Sequence, residues 1–335
     1  MNLNDKTYSQ FHLCCEMMDT VDVVRKFDPK DADFIVESAK KTGHILFSGE
    51  GSSRILPAKN AIRKALRWGV PVITHTEGSH QACEYDLSKY TVLIDSNSGR
   101  TKESLMLANK LKADGHKEYY GVTANEGTPL ADVCVKTHVL KCGWEEAVAA
   151  TKSVVEQTLL FEAAIWKLAG KDIAPLVGKL ADDLKLALSV EIPREVVKWA
   201  HEAKTIYFAG LNDGVAEELT LKTNEITRRK SDFLEGTYAL HGPEEVMEDG
   251  DLVIVINPIE SEYEKYQKVF GGANVHVVAI DTKPTPFKTV IVPDAGDLQG
   301  YVYLCAGWNL LVEIASVDGI NLDKPTRARK VGNEM

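Results

Sequence analysis

The sequence predicts an α/β protein built from two tandem, doubly wound parallel sheets, with helical extensions at the two ends of the chain. Two observations lead to this prediction. Short apolar runs alternate with amphipathic helical stretches through the first half, and the same alternation starts again after Pro193. Buried strands that alternate with helices are typical of a parallel sheet covered on both faces. A length of 335 residues is enough for two such domains.

The alternation divides the chain into four parts. Apolar side chains recur at helical spacing over 7–27, until Asp28-Pro29 ends that segment. The predicted parts are an N-terminal helical segment (1–29), a first domain (30–190), a second domain (191–320) and a C-terminal tail (321–335).

Within each domain, a turn or a helix follows every short apolar run. The first run begins at His44 and breaks into the glycine turn Gly49–Ser53. The other predicted strands of the first domain are 70–74, 90–95, 118–123 and 138–141, and its predicted helices are 30–41, 54–68, 102–112, 147–169 and 173–188. In the second domain the predicted strands are 205–210, 252–257, 275–281 and 289–292, and the predicted helices are 214–229, 260–271 and 298–317.

Composition and charge argue against a nucleic-acid-binding face. The chain is 44% hydrophobic and 26% charged, an ordinary soluble composition, with a net charge of -10 and a pI near 5.5. Neutralising phosphates requires clustered Lys and Arg. One basic cluster occurs near the C-terminus and consists of Lys324, Arg327, Arg329 and Lys330. It is interpreted either as a solvated tail or as a contact for an anion.

The cysteines and the apolar segments indicate the compartment. The six cysteines are scattered without C-x-x-C or metal-finger spacing, which is typical of reduced thiols in an intracellular protein. The first residues carry no apolar signal region, and no run of about eighteen apolar residues occurs. We therefore expect a cytoplasmic protein with no membrane partner.

Two turns in the first domain each end a strand and open a helix. Gly49–Ser53 and Ser96–Thr101 both place hydroxyls and backbone N–H groups at a helix N-terminus, where an anion is favoured. Ser and Thr are also common N-caps, which is the simpler explanation for either turn alone. Neither turn fits a nucleoside-triphosphate or dinucleotide motif. Together they predict a site for a phosphorylated small metabolite at the carboxyl ends of the strands.

A group of acid–base side chains occurs in the second domain. Glu218, Lys222 and Glu225 share one stripe of a predicted helix, and His241 follows Glu225 by sixteen residues and precedes Gly242-Pro243. The simpler alternative is a solvated ion pair and a loop histidine. A carboxylate, a lysine and a histidine brought together suit proton transfer on a sugar.

These features together resemble the tandem sugar-isomerase (SIS) domain family, whose domains are flavodoxin-like. The family includes the isomerase half of glutamine–fructose-6-phosphate aminotransferase, tagatose-6-phosphate isomerase/amino-sugar-phosphate deaminases and fructosamine-6-phosphate deglycases. The resemblance covers about 30–335 and includes the segment Glu145-Glu-Ala-Val-Ala-Ala-Thr-Lys152. It implies that the backbone of Val148 touches the sugar. The side chains that it implies for substrate and phosphate binding are Ser52, Ser53, Ser96, Asn97, Ser98 and Thr101.

The same resemblance implies the catalytic roles. Glu225 would move a proton between C1 and C2, Lys222 would assist it, and Glu218 would support both. His241 would open the sugar ring from the neighbouring subunit, which implies a homodimer. Lys330, in the tail, would form an imine with an open-chain ketose. No metal and no cofactor are expected.

The chain departs from the family pattern at several positions. The aminotransferase's glutaminase domain and its nucleophilic cysteine are not expected here, because residue 2 is Asn. Arg100 replaces the usual Glu of the serine-rich turn, and Tyr238 and Leu240 replace Glu and Lys just ahead of the histidine. No serine-rich turn follows Asn257, so only the first domain should bind phosphate.

The sequence thus predicts a phosphosugar isomerase or deaminase that acts on a 6-phosphorylated amino sugar. A fructosamine-6-phosphate deglycase is the alternative enzyme. A non-catalytic sugar-phosphate-binding regulator is the alternative from another class, although a sensor needs no acid–base residues. No helix-turn-helix pattern precedes residue 30, which argues against direct regulation of transcription.

Overall fold

The computed structural model describes residues 1–330 and contains two five-stranded parallel sheets. The first sheet has the strand order β2-β1-β3-β4-β5, and every neighbouring pair is parallel. Its strands are β1 (His44–Gly49), β2 (Ile73–Gly78), β3 (Thr91–Asp95), β4 (Tyr119–Thr123) and β5 (Lys136–Val139).

The second sheet repeats this order. Read from its other edge it runs β7-β6-β8-β9-β10, so in both sheets the first strand in sequence lies between the second and the third. Its strands are β6 (Thr205–Gly210), β7 (Lys230–Glu235), β8 (Leu252–Ile256), β9 (His276–Asp281) and β10 (Lys288–Ile291). The predicted α/β class with two parallel sheets is confirmed.

Thirteen α-helices accompany the strands in the described residues. The helices up to the end of the first sheet are α1 (Lys6–Ser9), α2 (His12–Arg25), α3 (Asp33–Thr42), α4 (Ile55–Arg67), α5 (Ser79–Ala82), α6 (Lys102–Ala113) and α7 (Pro129–Val133). The later helices are α8 (Lys152–Leu168), α9 (Ala174–Ser189), α10 (Arg194–Glu202), α11 (Val215–Lys222), α12 (Tyr263–Gly272) and α13 (Gln299–Val317).

The chain divides into two compact units. The first-sheet unit contains Asp22–Glu145, Ala150–Gly178 and the described residues from Ala328 onward. The second-sheet unit contains Met1–Val21, Glu146–Ala149 and Lys179–Arg327. The last described residues of the tail therefore belong to a different unit from the residues just before them.

Several predicted elements differ from the observed ones. The strand predicted over 70–74 is β2, which begins three residues later because Val70 and Val72 form turn hydrogen bonds. The predicted helix over 147–169 begins only at Lys152, since backbone N–H groups ahead of it donate to carboxylates and not to a helical ladder. Strand β7 was not predicted, because Lys, Ser, Asp and Glu interrupt its apolar pattern at the edge of the sheet.

Helix α13 forms a large part of the core of the second-sheet unit. By length and composition the stretch Gly296–Val317 could span a membrane, but 78% of its most apolar window is buried inside the fold. Core helices of water-soluble proteins have the same character. Within this helix Gly307 lies against Leu219 of α11, and a Cβ at Gly307 would come within 3.0 Å of Leu219 Cγ. The absence of a side chain at Gly307 thus sets how closely α11 approaches α13.

We predict that Gly307→Ala lowers the free energy of unfolding by about 1–3 kcal/mol, because Leu219 is fully buried and has little room to move. Urea unfolding followed by circular dichroism measures this change. Gly271→Ala on α12 is the matched control, since Gly271 is exposed and no neighbouring atom lies within 4 Å of the added Cβ. The control should raise stability by up to about 1 kcal/mol. Equal stability of the two variants would contradict the predicted steric overlap between the added Cβ at position 307 and the side chain of Leu219.

Candidate functional site

The two phosphate-binding turns predicted from the sequence follow adjacent strands of the first sheet. Gly49 at the end of β1 pairs with Asp95 at the end of β3. These strands flank the point where the strand order reverses, which is where ligands bind in open parallel sheets. A Cβ at Gly49 would lie 2.8 Å from the backbone oxygen of Asp95, so glycine allows the two strand ends to come together.

The turn after β3 is held by its own hydroxyls. Ser96 Oγ and Thr101 Oγ1 are 2.9 Å apart and share a hydrogen bond, and the Arg100 N–H donates to Ser98 Oγ over 3.2 Å. Gly99 has a left-handed φ of 64°, and a Cβ there would lie 2.7 Å from Thr128 Cγ2. Both the backbone conformation and the packing therefore require glycine at this position.

Each turn opens a helix whose N-terminus no side chain caps within the described residues. The turn Gly51–Ser53 leads into α4, and Thr101 precedes α6. Ser52 and Ser53 are half-buried in the first turn, as is Ser98 in the second. Uncapped N–H groups and the positive end of a helix dipole favour an anion, and both turns offer them.

Glu145 is a buried carboxylate that the sequence analysis did not single out. Its Oε1 accepts from the Thr151 N–H at 2.7 Å and from Thr151 Oγ1 at 3.1 Å. Its Oε2 accepts from Ser153 Oγ at 2.6 Å and from Asn97 Nδ2 at 3.1 Å. Glu145 thus joins the start of α8 to the turn that follows β3. Its place at the head of the motif with Thr151 was the available signal, but spacing alone did not show that the side chain points inward.

The tail lysine lies beside this carboxylate. Lys330 Nζ is 3.9 Å from Glu145 Oε2, so the structure brings the tail, Glu145 and Asn97 together within the first-sheet unit. Burial alone would raise the pKa of Glu145. The charge of Lys330 and the hydrogen bonds from Ser153 and Thr151 outweigh burial and lower that pKa. Glu145 is therefore an anion at neutral pH.

The pKa of Asp95, one residue before the second turn, is shifted in the opposite direction. The residue is 1% exposed, and Gln157 Nε2 donates to its Oδ1 over 2.6 Å. The other oxygen, Oδ2, has no hydrogen-bond partner among the described residues. Burial raises the pKa of Asp95 well above its ordinary value, against a smaller lowering by the Ser96 N–H. The protonated form of this carboxyl is therefore favoured to higher pH in the folded protein than in an exposed aspartate.

The second-sheet unit contains the predicted acid–base residues. Lys222 Nζ lies 2.7 Å from Glu225 Oε2 and 3.4 Å from Glu218 Oε1. The side chains of Lys222 and Glu218 are buried, whereas that of Glu225 is 28% exposed. A buried ammonium between two carboxylates holds Glu225 at a fixed position while leaving it accessible.

The backbone under Glu225 is not the straight helix predicted over 214–229. Helix α11 ends at Lys222, and Thr223–Thr227 forms a π-helical turn. Thr223 Oγ1 donates to the carbonyl of Leu219 and Thr227 Oγ1 to that of Thr223. Arg228 ends the turn with a left-handed φ of 58°. Single π-helical turns are frequent at functional sites, and periodicity alone does not reveal them.

Two other residues predicted for the site, His241 and Val148, also lie in the second-sheet unit. His241 lies in an exposed loop of the second-sheet unit. Its backbone N–H donates to the Tyr238 carbonyl, and no described side chain hydrogen-bonds its ring. Val148 is half-buried in the same unit. Over residues 1–330, no group of three or more His, Cys, Asp and Glu side chains is arranged to hold a metal ion.

Comparison with protein families gives a match over the part of the chain that carries both turns. Residues 39–167 match the model of the SIS domain. This region is a SIS domain. It contains the first sheet, and the second sheet lies beyond the matched residues.

Among curated proteins, the glutamine–fructose-6-phosphate aminotransferase of Pyrococcus horikoshii is 30% identical over 254 residues. That alignment covers 70% of this chain and 41% of the relative. The chain spans about half the length of the curated relatives that it matches.

Solved structures share the fold over nearly the whole chain, the SIS domain included. Glucosamine-6-phosphate deaminase from Thermotoga maritima superposes with a TM-score of 0.72 at 22% identity, covering 96% of this chain and 99% of that one. Tagatose-6-phosphate ketose/aldose isomerase from Escherichia coli superposes with a TM-score of 0.75 at 16% identity, covering 98% and 99%. At these identities the similarity establishes the fold.

We predict that Asp95→Asn changes the pH dependence of stability of the SIS domain. The folded protein keeps the Asp95 proton at pH values where the unfolded chain, with a pKa of about 3.9, has lost it. The stabilisation from this carboxyl is therefore complete below about pH 4 and is lost as the pH rises toward the raised folded-state pKa. Asparagine cannot ionise. Above pH 4 the free energy of unfolding of the variant should therefore rise relative to that of the wild type, by up to about 1.4 kcal/mol per pH unit.

Urea titrations between pH 4 and 7 measure this difference. Asp132→Asn, an exposed position in the same unit, shows how much of any slope arises from losing a surface carboxylate. Parallel stability curves for Asp95→Asn and the wild type would contradict the prediction.

Proposed function

We propose that this protein is a phosphosugar isomerase or deaminase that moves a proton between C1 and C2 of a 6-phosphorylated sugar, in particular an amino sugar. The observation that carries the proposal is the accessible Glu225 carboxylate held by the buried ammonium of Lys222. A general base needs a fixed position within reach of the proton that it accepts, and this ion pair supplies one. The names of the structural neighbours, which include an isomerase and a deaminase, support the same class.

The proposed binding mode uses the SIS domain for the phosphate. The uncapped helix N-termini and the hydroxyls of Ser52, Ser53, Ser96, Ser98 and Thr101 supply donors for its oxygens. Asn97 is committed to Glu145 through its amide nitrogen, but its Oδ1 is buried without a partner among the described atoms. That oxygen is available to accept a sugar hydroxyl.

In the proposed reaction Glu225 accepts a proton from one carbon of the open-chain sugar and returns it to the neighbouring carbon. A second proton moves between the two oxygens in the same sense, from O2 to O1 when the carbon proton moves from C2 to C1, so that the aldehyde becomes a hydroxyl and the ketone forms at C2. If C2 carries an amine, the same transfer leaves an imine at C2, and water hydrolyses it to a ketone and free amine. Lys222 and Glu218 hold the base, and the Lys330 amine can condense with the carbonyl and release water.

We further propose that His241 opens the sugar ring in a second copy of the chain. His241 is exposed, and two exposed apolar side chains lie close to it in sequence, with Tyr238 55% and Val246 71% exposed. Exposed apolar groups around a polar one are typical of a protein–protein interface. A homodimer in the cytoplasm is thus part of the proposal.

We predict that Glu225→Gln lowers kcat by about a hundredfold or more, because it removes the base, with KM changed less than about threefold. The assay follows solvent deuterium into C1 or C2 and amine release by NMR. Its panel is glucosamine-6-phosphate, galactosamine-6-phosphate, fructose-6-phosphate with ammonia, tagatose-6-phosphate and several fructosamine-6-phosphates. Glu264→Gln, exposed on α12, is the control. Turnover by Glu225→Gln near that of the wild type would refute the mechanism.

The panel also separates the alternatives. Release of an amino acid from a fructosamine-6-phosphate would identify a deglycase. Saturable binding without deuterium exchange into any of these compounds would identify a sugar-phosphate sensor.

We predict that Ser98→Ala weakens binding of the phosphosugar about tenfold, since it removes a hydroxyl at the opening of α6. Calorimetric titration in the Glu225→Gln background measures affinity without turnover. Ser88→Ala, an exposed serine of the same unit, should bind like the parent. Unchanged affinity in Ser98→Ala would place the phosphate elsewhere.

A further inference from the structure

The segment Asn321–Lys324 of the C-terminal tail is held in place by one arginine. Arg228 Nη2 donates to the carbonyl of Asn321 at 2.9 Å and to that of Lys324 at 2.7 Å. The segment is compact, because Asn321 Oδ1 accepts from the N–H groups of Asp323 and Lys324 at 3.1 and 3.0 Å. The guanidinium therefore binds a preformed turn through both of its ends.

Two further contacts attach this turn to the second-sheet unit. Asp323 accepts from the backbone N–H groups of His12 and Leu13, both at 2.9 Å, and so caps the start of α2. Leu322, between the two carbonyls that Arg228 binds, is 6% exposed. The tail is thus docked by a charge-assisted contact, a helix cap and a buried apolar side chain.

Arg228 occupies this position at a conformational cost. Its left-handed φ of 58° is unfavourable for a residue with a Cβ. The two hydrogen bonds from its charged donor to the tail carbonyls offset that cost. The same residue also ends the π-helical turn that carries Glu225. The conformation of this turn and the docking of the tail therefore depend on a single residue.

We propose that Arg228 is a positioning residue that docks Asn321–Lys324 onto the end of the Glu225 turn, so that the proton-transfer carboxylate and the segment leading to Lys330 become ordered together. Lys330 follows Lys324 by six residues, which span at most roughly 20 Å. A fixed Lys324 therefore restricts the region that the Lys330 amine can reach. The catalytic part of this inference rests on the proposed function, whereas the docking part does not.

The test replaces Arg228 with glycine, which adopts the left-handed conformation freely and lacks the guanidinium. Arg228→Ala, which lacks the guanidinium but keeps the backbone cost that arginine already carries, is the second variant. Exposed Arg194→Ala on α10 is the matched control. Trypsin cleavage after Arg327, followed by mass spectrometry of the released C-terminal peptide, reports docking. We expect cleavage to accelerate about tenfold or more in both Arg228 variants and to stay unchanged in the control.

If trypsin cleaves the Arg228→Gly variant at the wild-type rate, the docking proposal is wrong, whether or not the protein turns over any phosphosugar. With a substrate identified from the phosphosugar panel, we expect kcat of Arg228→Gly to fall about tenfold and KM to change less than about threefold, because the phosphate-binding turns lie in the other unit. Faster cleavage with unchanged kcat would overturn the positioning role. If the wild type turns over none of the panel, the proposed function fails, and the proteolysis result still decides the docking.

Discussion

The candidate site of the second-sheet unit depends on the ion pairs that the buried ammonium of Lys222 forms. A charge with no exposure needs compensation, and Glu218 and Glu225 supply it at 3.4 and 2.7 Å. Lys222 pairs with a carboxylate at i−4 and with another at i+3. Just after Lys222 the backbone changes from α-helical to π-helical hydrogen bonding. The π-helical turn ends in a left-handed arginine that binds the tail. Electrostatic compensation, backbone conformation and tail docking are thus consecutive features of one short stretch of chain.

The first-sheet unit uses two buried carboxyls in opposite ways. Glu145 receives four hydrogen bonds and faces Lys330, so it is held as an anion. Asp95 receives one side-chain hydrogen bond from neutral Gln157, and burial raises its pKa. Asp95 comes just before the turn that follows β3, and Glu145 accepts a hydrogen bond from Asn97 within that turn. Environments that push the pKa values of two carboxyls apart are characteristic of acid–base sites, and here they border the turn proposed to hold a phosphate.

The turns after the strands, and not the topology, explain why the candidate phosphate site lies in one sheet only. Both sheets have the same strand order, so each has a point where the order reverses. In the first sheet the strands at this point lead into serine-rich turns and uncapped helices. In the second sheet β8 leads into Asn257 and a short 3-10 turn at Glu260–Glu262, with two carboxylates where an anion would need donors. The same architecture thus carries the candidate phosphate site in one copy and the candidate acid–base residues in the other.

The sequence by itself determined the parallel α/β class, nine of the ten strands and the location of both turns, because these follow from local periodicity and turn chemistry. It also placed Glu218, Lys222 and Glu225 on one stripe, since residues three and four apart are neighbours in any helix. Only the tertiary structure decided that Lys222 is buried, that Glu145 faces Lys330 and that Arg228 binds the tail. These contacts join residues up to 185 positions apart, and burial and long-range pairing are properties of the packed chain that no local pattern contains.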